Sequence, residues 1–326
     1  MNLEEVQARR MARARERRLR ARRRRAALLA TVAVVVLIVV AVAIASGGGT
    51  SSPSKVALAP RTRHHHRLHK TAAFHPGSTV TGKATGKPGT TPVPVLMYHV
   101  IAPPPAGAPF PGLYVPAPEF AAQMQALKAA GWHAVTLDQL EAYWTRGVPL
   151  GPGKPIVLTF DNGYHSQYAN ALPVLERLHW VADENIQLTG LPPSQGGLTS
   201  AEVKALIDAG WELDTQGISH ADLVALDPNE LKYQVVTARK MLQREYHVPV
   251  NWFCYPSGHY NATVIATVKE AGFIGSTTVI PGWASPSSDP FTLPRLRVLG
   301  GTSPSALLSQ ITAIRDDPPP PAAYGT

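Results

Sequence analysis

The residues of this 326-residue chain that could do chemistry fall in four well-separated segments. Tyr98 and His99 end an apolar run that begins at Val93, and Asp161 and Asn162 end a second, Ile156–Phe160. Asp214, Gln216 and His220 follow a third that begins at Trp211. Ser257 and His259 follow a fourth, Trp252–Tyr255. Each time, polar side chains stand just past a run apolar enough to be a buried strand. Four segments that each place polar groups just past an apolar strand would converge on one rim and read as a functional site. The single cysteine, Cys254, sits inside an apolar run and reads as a buried hydrophobe, not a nucleophile. With one cysteine, an internal disulfide framework and a Cys-rich zinc module are both excluded.

The elements that must position these residues begin near Pro92. Phe120, Met124 and Leu127 mark one helix face, closed by Gly131. His133–Leu137 reads as a strand, Asp138–Trp144 as a short helix, and Leu172, Leu175 and Leu178 line the next helix. Thr199 with Glu202 forms a capping box. Asp227-Pro228 starts a long helix through Tyr246, and Asn261 caps another. Ile274–Thr278 and Leu293–Val298 add strands, and Ser303-Pro304 opens a last helix. Strand-then-helix units with apolar strands imply a parallel sheet covered by helices. About seven or eight such units suit a barrel better than an open sheet, although spacing alone leaves a doubly wound fold open; in both, the chemistry sits at the carboxyl ends of the strands.

The +9 formal charge is unevenly spread. Residues 1–92 hold 18 Lys+Arg against 3 Asp+Glu, a net of +15, while the rest of the chain carries a net of −6. With no basic stripe in the part that folds, nucleic acid is not the expected partner. Residues 1–25 read as a basic cytoplasmic leader and 26–45 as an uncharged transmembrane signal-anchor helix in contact with membrane lipid. Cleavage after Ala45 is the rival, since Ala43-Ile44-Ala45 has a small-x-small form, but the basic flank and apolar core are both long for a signal peptide. Residues 46–92 read as a disordered basic linker, 93–316 as the folded domain and 317–326 as a Pro-rich tail. The arrangement implies a single-pass membrane protein with its main domain outside the cell.

The folded part resembles the polysaccharide deacetylases with a NodB-homology domain, carbohydrate esterase family 4, over roughly Val93 to Val298. VPVLMYHVI at 93–101 is similar to that family's opening strand and LTFDNGY at 158–164 to its first motif. WELDTQGISHADL at 211–223, FCYPSGHYN at 253–261 and DPFTLPRLRV at 289–298 resemble the later motifs. The resemblance implies a distorted (β/α) barrel and metal-assisted removal of acetyl groups from a cell-envelope glycan such as peptidoglycan. It implies Asp161 as general base, the Ser257 backbone amide as oxyanion donor, and zinc or a similar divalent metal held at positions 162, 216 and 220. Tyr255 and Pro256 are expected to contact substrate, and Trp283 reads equally as a pocket wall or sugar platform and as a loop anchor.

Two of those metal positions depart from the pattern. Asn162 stands where the metal-binding Asp is expected and Gln216 where the first His is expected, leaving His220 as the one matching ligand. Neutral amide oxygens are weak replacements for carboxylate and imidazole. The family's late Leu-x-His acid is also missing, because no histidine follows His259. His99 is the candidate substitute ligand and His259 the candidate acid. Two expectations therefore stand side by side: a membrane-tethered extracytoplasmic deacetylase, or an impaired family member that binds or scaffolds a glycan.

Overall fold

The computed structural model describes residues 83–189, 191 and 196–316. The leader 1–25, the apolar segment 26–45 and the tail 317–326 lie outside the described residues, as does the linker up to residue 82. No helix among the described residues is long and apolar enough to cross a membrane.

Among the described residues, nine strands form one sheet, curled into a half-barrel with helices packed on its outside. They are β1 (Val93–Tyr98), β2 (Trp132–Val135), β3 (Lys154–Asn162), β4 (Asp183–Ile186), β5 (Glu212–Thr215), β6 (Trp252–Cys254), β7 (Gly275–Thr277), β8 (Trp283–Ala284) and β9 (Leu296–Arg297). The order runs β7-β6-β5-β4-β3-β1-β8, with β2 also on β3 and β9 also on β1. All pairings are parallel except β1 with β8. The helices are α1 (Ala117–Ala129), α2 (Leu137–Arg146), α3 (Leu172–Leu178), α4 (Ser200–Asp208), α5 (Pro228–Lys232), α6 (Ala238–Tyr246), α7 (Ala262–Glu270) and α8 (Pro304–Asp316). The one long helix expected from Asp227 to Tyr246 is α5 and α6 joined through a π-helical stretch, Tyr233–Thr237.

Two strands were not foreseen. β4 reads Asp-Glu-Asn-Ile, its first three residue types depleted in strands, yet all four are buried between β3 and β5. β8 is only two residues long. The linker boundary is also corrected. Residues 85–92 lie along α2: the Gly89 N–H donates to the Tyr143 carbonyl at 2.9 Å, and Trp144 Nε1 donates to the Thr91 carbonyl at 3.0 Å. Gly89 presses on the Tyr143 ring so closely that a Cβ there would collide with it.

The core under β3 centres on Phe160. Its ring stacks on Trp211 at 4.8 Å and on Tyr98 at 5.6 Å, and meets the Phe120 ring at 5.9 Å. This packing fixes the direction in which the next two residues, Asp161 and Asn162, leave the strand. Phe160→Ala is expected to destabilise the domain by about 3–5 kcal/mol, read from chemical denaturation.

Candidate active site

The carboxyl ends of β1, β3, β5 and β6 converge on a pocket of about 710 Å³. His99, Asp161, Asn162, Gln216, His220, Tyr255, Ser257 and His259 all line it. Most rim residues named by the sequence are thus brought together, from elements up to 160 positions apart. Tyr98, however, is buried in the core against Phe160, and Asp214 lies outside the pocket. Tyr164, Gln187 and Arg297 also line the pocket, and sequence reasoning gave none of these a site role.

Backbone geometry shapes the rim at two places. Asn162 has φ 81° and Gly163 φ 80°, consecutive left-handed residues that turn the chain sharply after β3. Asn tolerates this conformation better than most side chains, and at Gly163 a Cβ would also strike Ile186. Ser257 has φ 56° in the turn after β6, a strained position for a serine, and is exposed in the pocket. Pro256, the first residue of that turn, is buried and lies outside the pocket lining.

Asp161 is buried and held on all sides. Arg295 Nη1 donates to Asp161 Oδ1 at 2.8 Å and Nη2 to Oδ2 at 2.9 Å, a two-pronged ion pair. Asn185 Nδ2 donates to Oδ1 at 2.9 Å. Burial alone would raise the Asp161 carboxyl, but the charge and hydrogen bonds of Arg295, with help from His99 and Asn185, pull it down to about 2. Arg295 itself is fully buried; its Nε donates to the Thr278 carbonyl and its Nη1 to Thr159 Oγ1, each at 2.8 Å. Arg295 was missed as a site residue because nothing in the sequence links it to a carboxylate 134 positions earlier.

The residues at the expected metal positions are bonded to one another. Asn162 Nδ2 donates to Gln216 Oε1 at 2.9 Å, and Gln216 Nε2 donates to Cys254 Sγ at 3.1 Å. Exchanging O and N in both amides would still leave each using one polar group on the other. The Gln216 oxygen that was to face a cation instead accepts a hydrogen bond. Asp161, the carboxylate among the residues that line the pocket, is already neutralised by Arg295. This donor set does not fit a divalent metal.

His99 does not repair it. Its Nε2 lies 3.9 Å from Asp161 Oδ2, an oxygen that Arg295 already occupies. Burial lowers His99 to about 4 despite the opposing pull of Asp161, so the ring is neutral near neutral pH. Among the described residues, one group of three His, Cys, Asp or Glu side chains has ligand atoms within 4.8 Å of one another, and it is Asp183, Glu212 and Asp214. Asp183 and Glu212 begin β4 and β5, Asp214 is the third residue of β5, and none of the three lines the pocket. Each gives one oxygen to a backbone N–H: Leu137 to Asp183 at 2.8 Å, Asp138 to Glu212 at 3.0 Å and Trp252 to Asp214 at 2.8 Å. They cap the start of α2 and anchor β6.

Other expectations resolve simply. Cys254 is buried and its thiol is pushed up to about 12 by burial, so it carries no thiolate chemistry. His259 Nδ1 stands 3.2 Å from Asp222 Oδ1 at the pocket edge. Burial lowers His220. Trp283 is not a pocket residue: β8 pairs with Val93 and Pro94 at the far end of β1, and the indole donates to the Ile311 carbonyl at 2.9 Å. It is a core anchor for α8, not a sugar platform.

Residues 150–275, which carry β3 to β6 and the pocket residues from Asp161 to His259, match the family profile described as polysaccharide deacetylase. The Bacillus subtilis protein YxkH, described as a candidate polysaccharide deacetylase, is 28% identical over 68% of this chain and 77% of its own length. Over that stretch the chain is similar to the polysaccharide deacetylases. Among solved structures, the Streptococcus pyogenes deacetylase PplD in complex with acetate superposes with TM-score 0.63 and 25% identity, over 69% of this chain and 99% of that one. A Bacillus anthracis polysaccharide deacetylase, BA0330, gives TM-score 0.60 and 26% identity over 68% and 69%. The Staphylococcus epidermidis poly-β-1,6-N-acetyl-D-glucosamine N-deacetylase is 25% identical over 55% of this chain and 66% of its own. The polysaccharide deacetylase family is generally metal-dependent, which sets the amide-filled position of this chain apart.

Two outcomes follow from the buried charges. Arg295→Met leaves Asp161 ionised without a partner and is expected to cost about 3–5 kcal/mol in a denaturation experiment, most of it recovered in Asp161→Leu/Arg295→Met. A His99 pKa lowered on folding means that the unfolded chain takes up a proton below about 6.5 and the folded chain only near 4. Stability contributed by His99 is therefore present above about 6.5 and is lost as pH falls toward 4. An NMR titration of the His99 ring with a midpoint near 4 bears this out, and one near 6.5 contradicts it.

Proposed function

We propose that this protein is a membrane-tethered, extracytoplasmic member of the polysaccharide deacetylase family that binds an N-acetylated cell-envelope glycan without metal-dependent turnover. The observation that carries the reading is the hydrogen bond from Asn162 to Gln216, which closes the cation position with two neutral amides. Glycan as ligand is supported by relatives named for poly-β-1,6-N-acetyl-D-glucosamine and by a pocket large enough for more than one sugar. The tether is supported by the leader and the uncharged run at 26–45.

The pocket's own residues suit binding. Asn162, Gln216 and Gln187 present amides, Tyr164 and Tyr255 present aromatic walls, and Ser257 presents an exposed polar turn. Asp161 at about 2 is a weak proton acceptor near neutrality, and its fixed charge serves to orient Arg295 and Asn185. The family reaction, hydrolysis of an N-acetyl or O-acetyl group, is the second reading. It is favoured by Asp161, His220, Ser257 and His259 sharing one pocket, with Asp161 as base, the Ser257 amide as oxyanion donor and His259 as acid.

Calorimetric zinc titration of the full-length protein and of Asn162→Asp/Gln216→His separates the two readings. The double variant is expected to gain one tight zinc site and to release acetate from N-acetylated oligosaccharides, while the native protein does neither. Tight zinc binding and acetate release by the native protein would refute the binding-only reading.

A further inference from the structure

Charges around the pocket do not cancel. Asp161 is matched by buried Arg295, and His259 has Asp222 beside it. Arg297, two residues further along and in β9, lines the pocket with an exposed side chain and has no acidic partner among the described residues. Its positive charge is felt inside the pocket, where it adds to the forces that keep His99 neutral.

The lip around Arg297 is also unusual in its apolar groups. Phe110 is 68% exposed and Leu299 44%, and both line the pocket. The two segments that carry them are tied together by the Gly300 N–H donating to the Gly112 carbonyl at 2.9 Å. Single exposed apolar side chains are ordinary on a protein surface, but two of them beside an unpaired guanidinium at a pocket mouth form a composite surface. A pyranose ring has an apolar C–H face that fits an aromatic or aliphatic platform. A guanidinium fork fits a carboxylate or phosphate better than it fits a hydroxyl.

Granted that the pocket takes a glycan, as proposed above, we propose that it selects an acidic one: Arg297 pairs with a carboxylate or phosphate on the sugar while Phe110 and Leu299 support the ring. A neutral sugar covering the lip would strip water from Arg297 and give no counter-charge in return. Long-range attraction is not the source, because residues 93–326 carry a net charge of −6. Selection must come from local contact at the lip.

The test is calorimetric binding of the full-length protein in detergent micelles to four matched oligosaccharides. These are a neutral N-acetylglucosamine tetramer, a tetramer bearing lactyl carboxylates on alternate sugars, the amide of that acid, and a tetramer bearing a phosphate monoester. One charged anion is expected to bind about tenfold more tightly than its neutral match, the size of one charge-assisted hydrogen-bonded pair. Whichever of carboxylate and phosphate shows the gain identifies the acid. Arg297→Gln, with an unchanged melting temperature, is expected to bring acid and neutral ligands to within about twofold, and Arg297→Lys to keep part of the gap. Equal binding of acidic and neutral ligands by the native protein, or a tenfold gap that survives Arg297→Gln, overturns the acidic selection alone. Failure of all four to bind overturns the glycan reading and this selection with it.

Discussion

The buried ion pair between Asp161 and Arg295 is the contact around which the pocket is organised. Two opposite charges inside a low-dielectric core are tolerated only if their remaining hydrogen-bonding positions are filled. Here they are: Asn185 and Cys254 reach the carboxylate, while Thr159 and the Thr278 carbonyl take the other guanidinium donors. The arm of Arg295 therefore runs from just before β9, past the end of β7, to the end of β3. It ties the two edges of the curled sheet across the pocket floor.

That pairing also sets what the floor can hold. A divalent cation needs negative charge close by, and the one carboxylate on the floor is already neutralised. With Asn162 and Gln216 both neutral and bonded to each other, the local charge is close to zero. Hydroxyl and acetamido groups, which need donors and acceptors but no charge, suit such a surface. The surplus charge sits higher, at the lip, on Arg297. Floor and lip thus make different demands on a ligand.

Much of the fold was legible in the sequence, because apolar strands and capped helices obey short-range rules. Val93–Tyr98 and Lys154–Asn162 are the buried strands that their apolar runs imply, and Thr199 and Asn261 cap helices as their types suggest. β4 was not legible. Asp183, Glu184 and Asn185 look like a surface loop until α2, β3 and β5 surround them and supply backbone donors. Trp283 stayed open: a tryptophan between small loop residues reads equally as a platform or an anchor, and the hydrogen bond from its indole to the Ile311 carbonyl makes it an anchor. Among the site residues, Asp161, His220 and the Ser257 turn were visible by type and position. Arg295 and Arg297 were visible only as two arginines in one strand.

The sequence by itself determined the family pattern, the order of strand and helix, and the exchange of two ligand residues for amides, since these depend on residue type and near neighbours. Tertiary structure decided which of two arginines, two positions apart, is buried against Asp161 and which faces the pocket mouth. It also decided that the two amides bond to each other instead of facing an ion. Both outcomes depend on distances between residues 54 and 134 positions apart, which become defined only when the sheet curls.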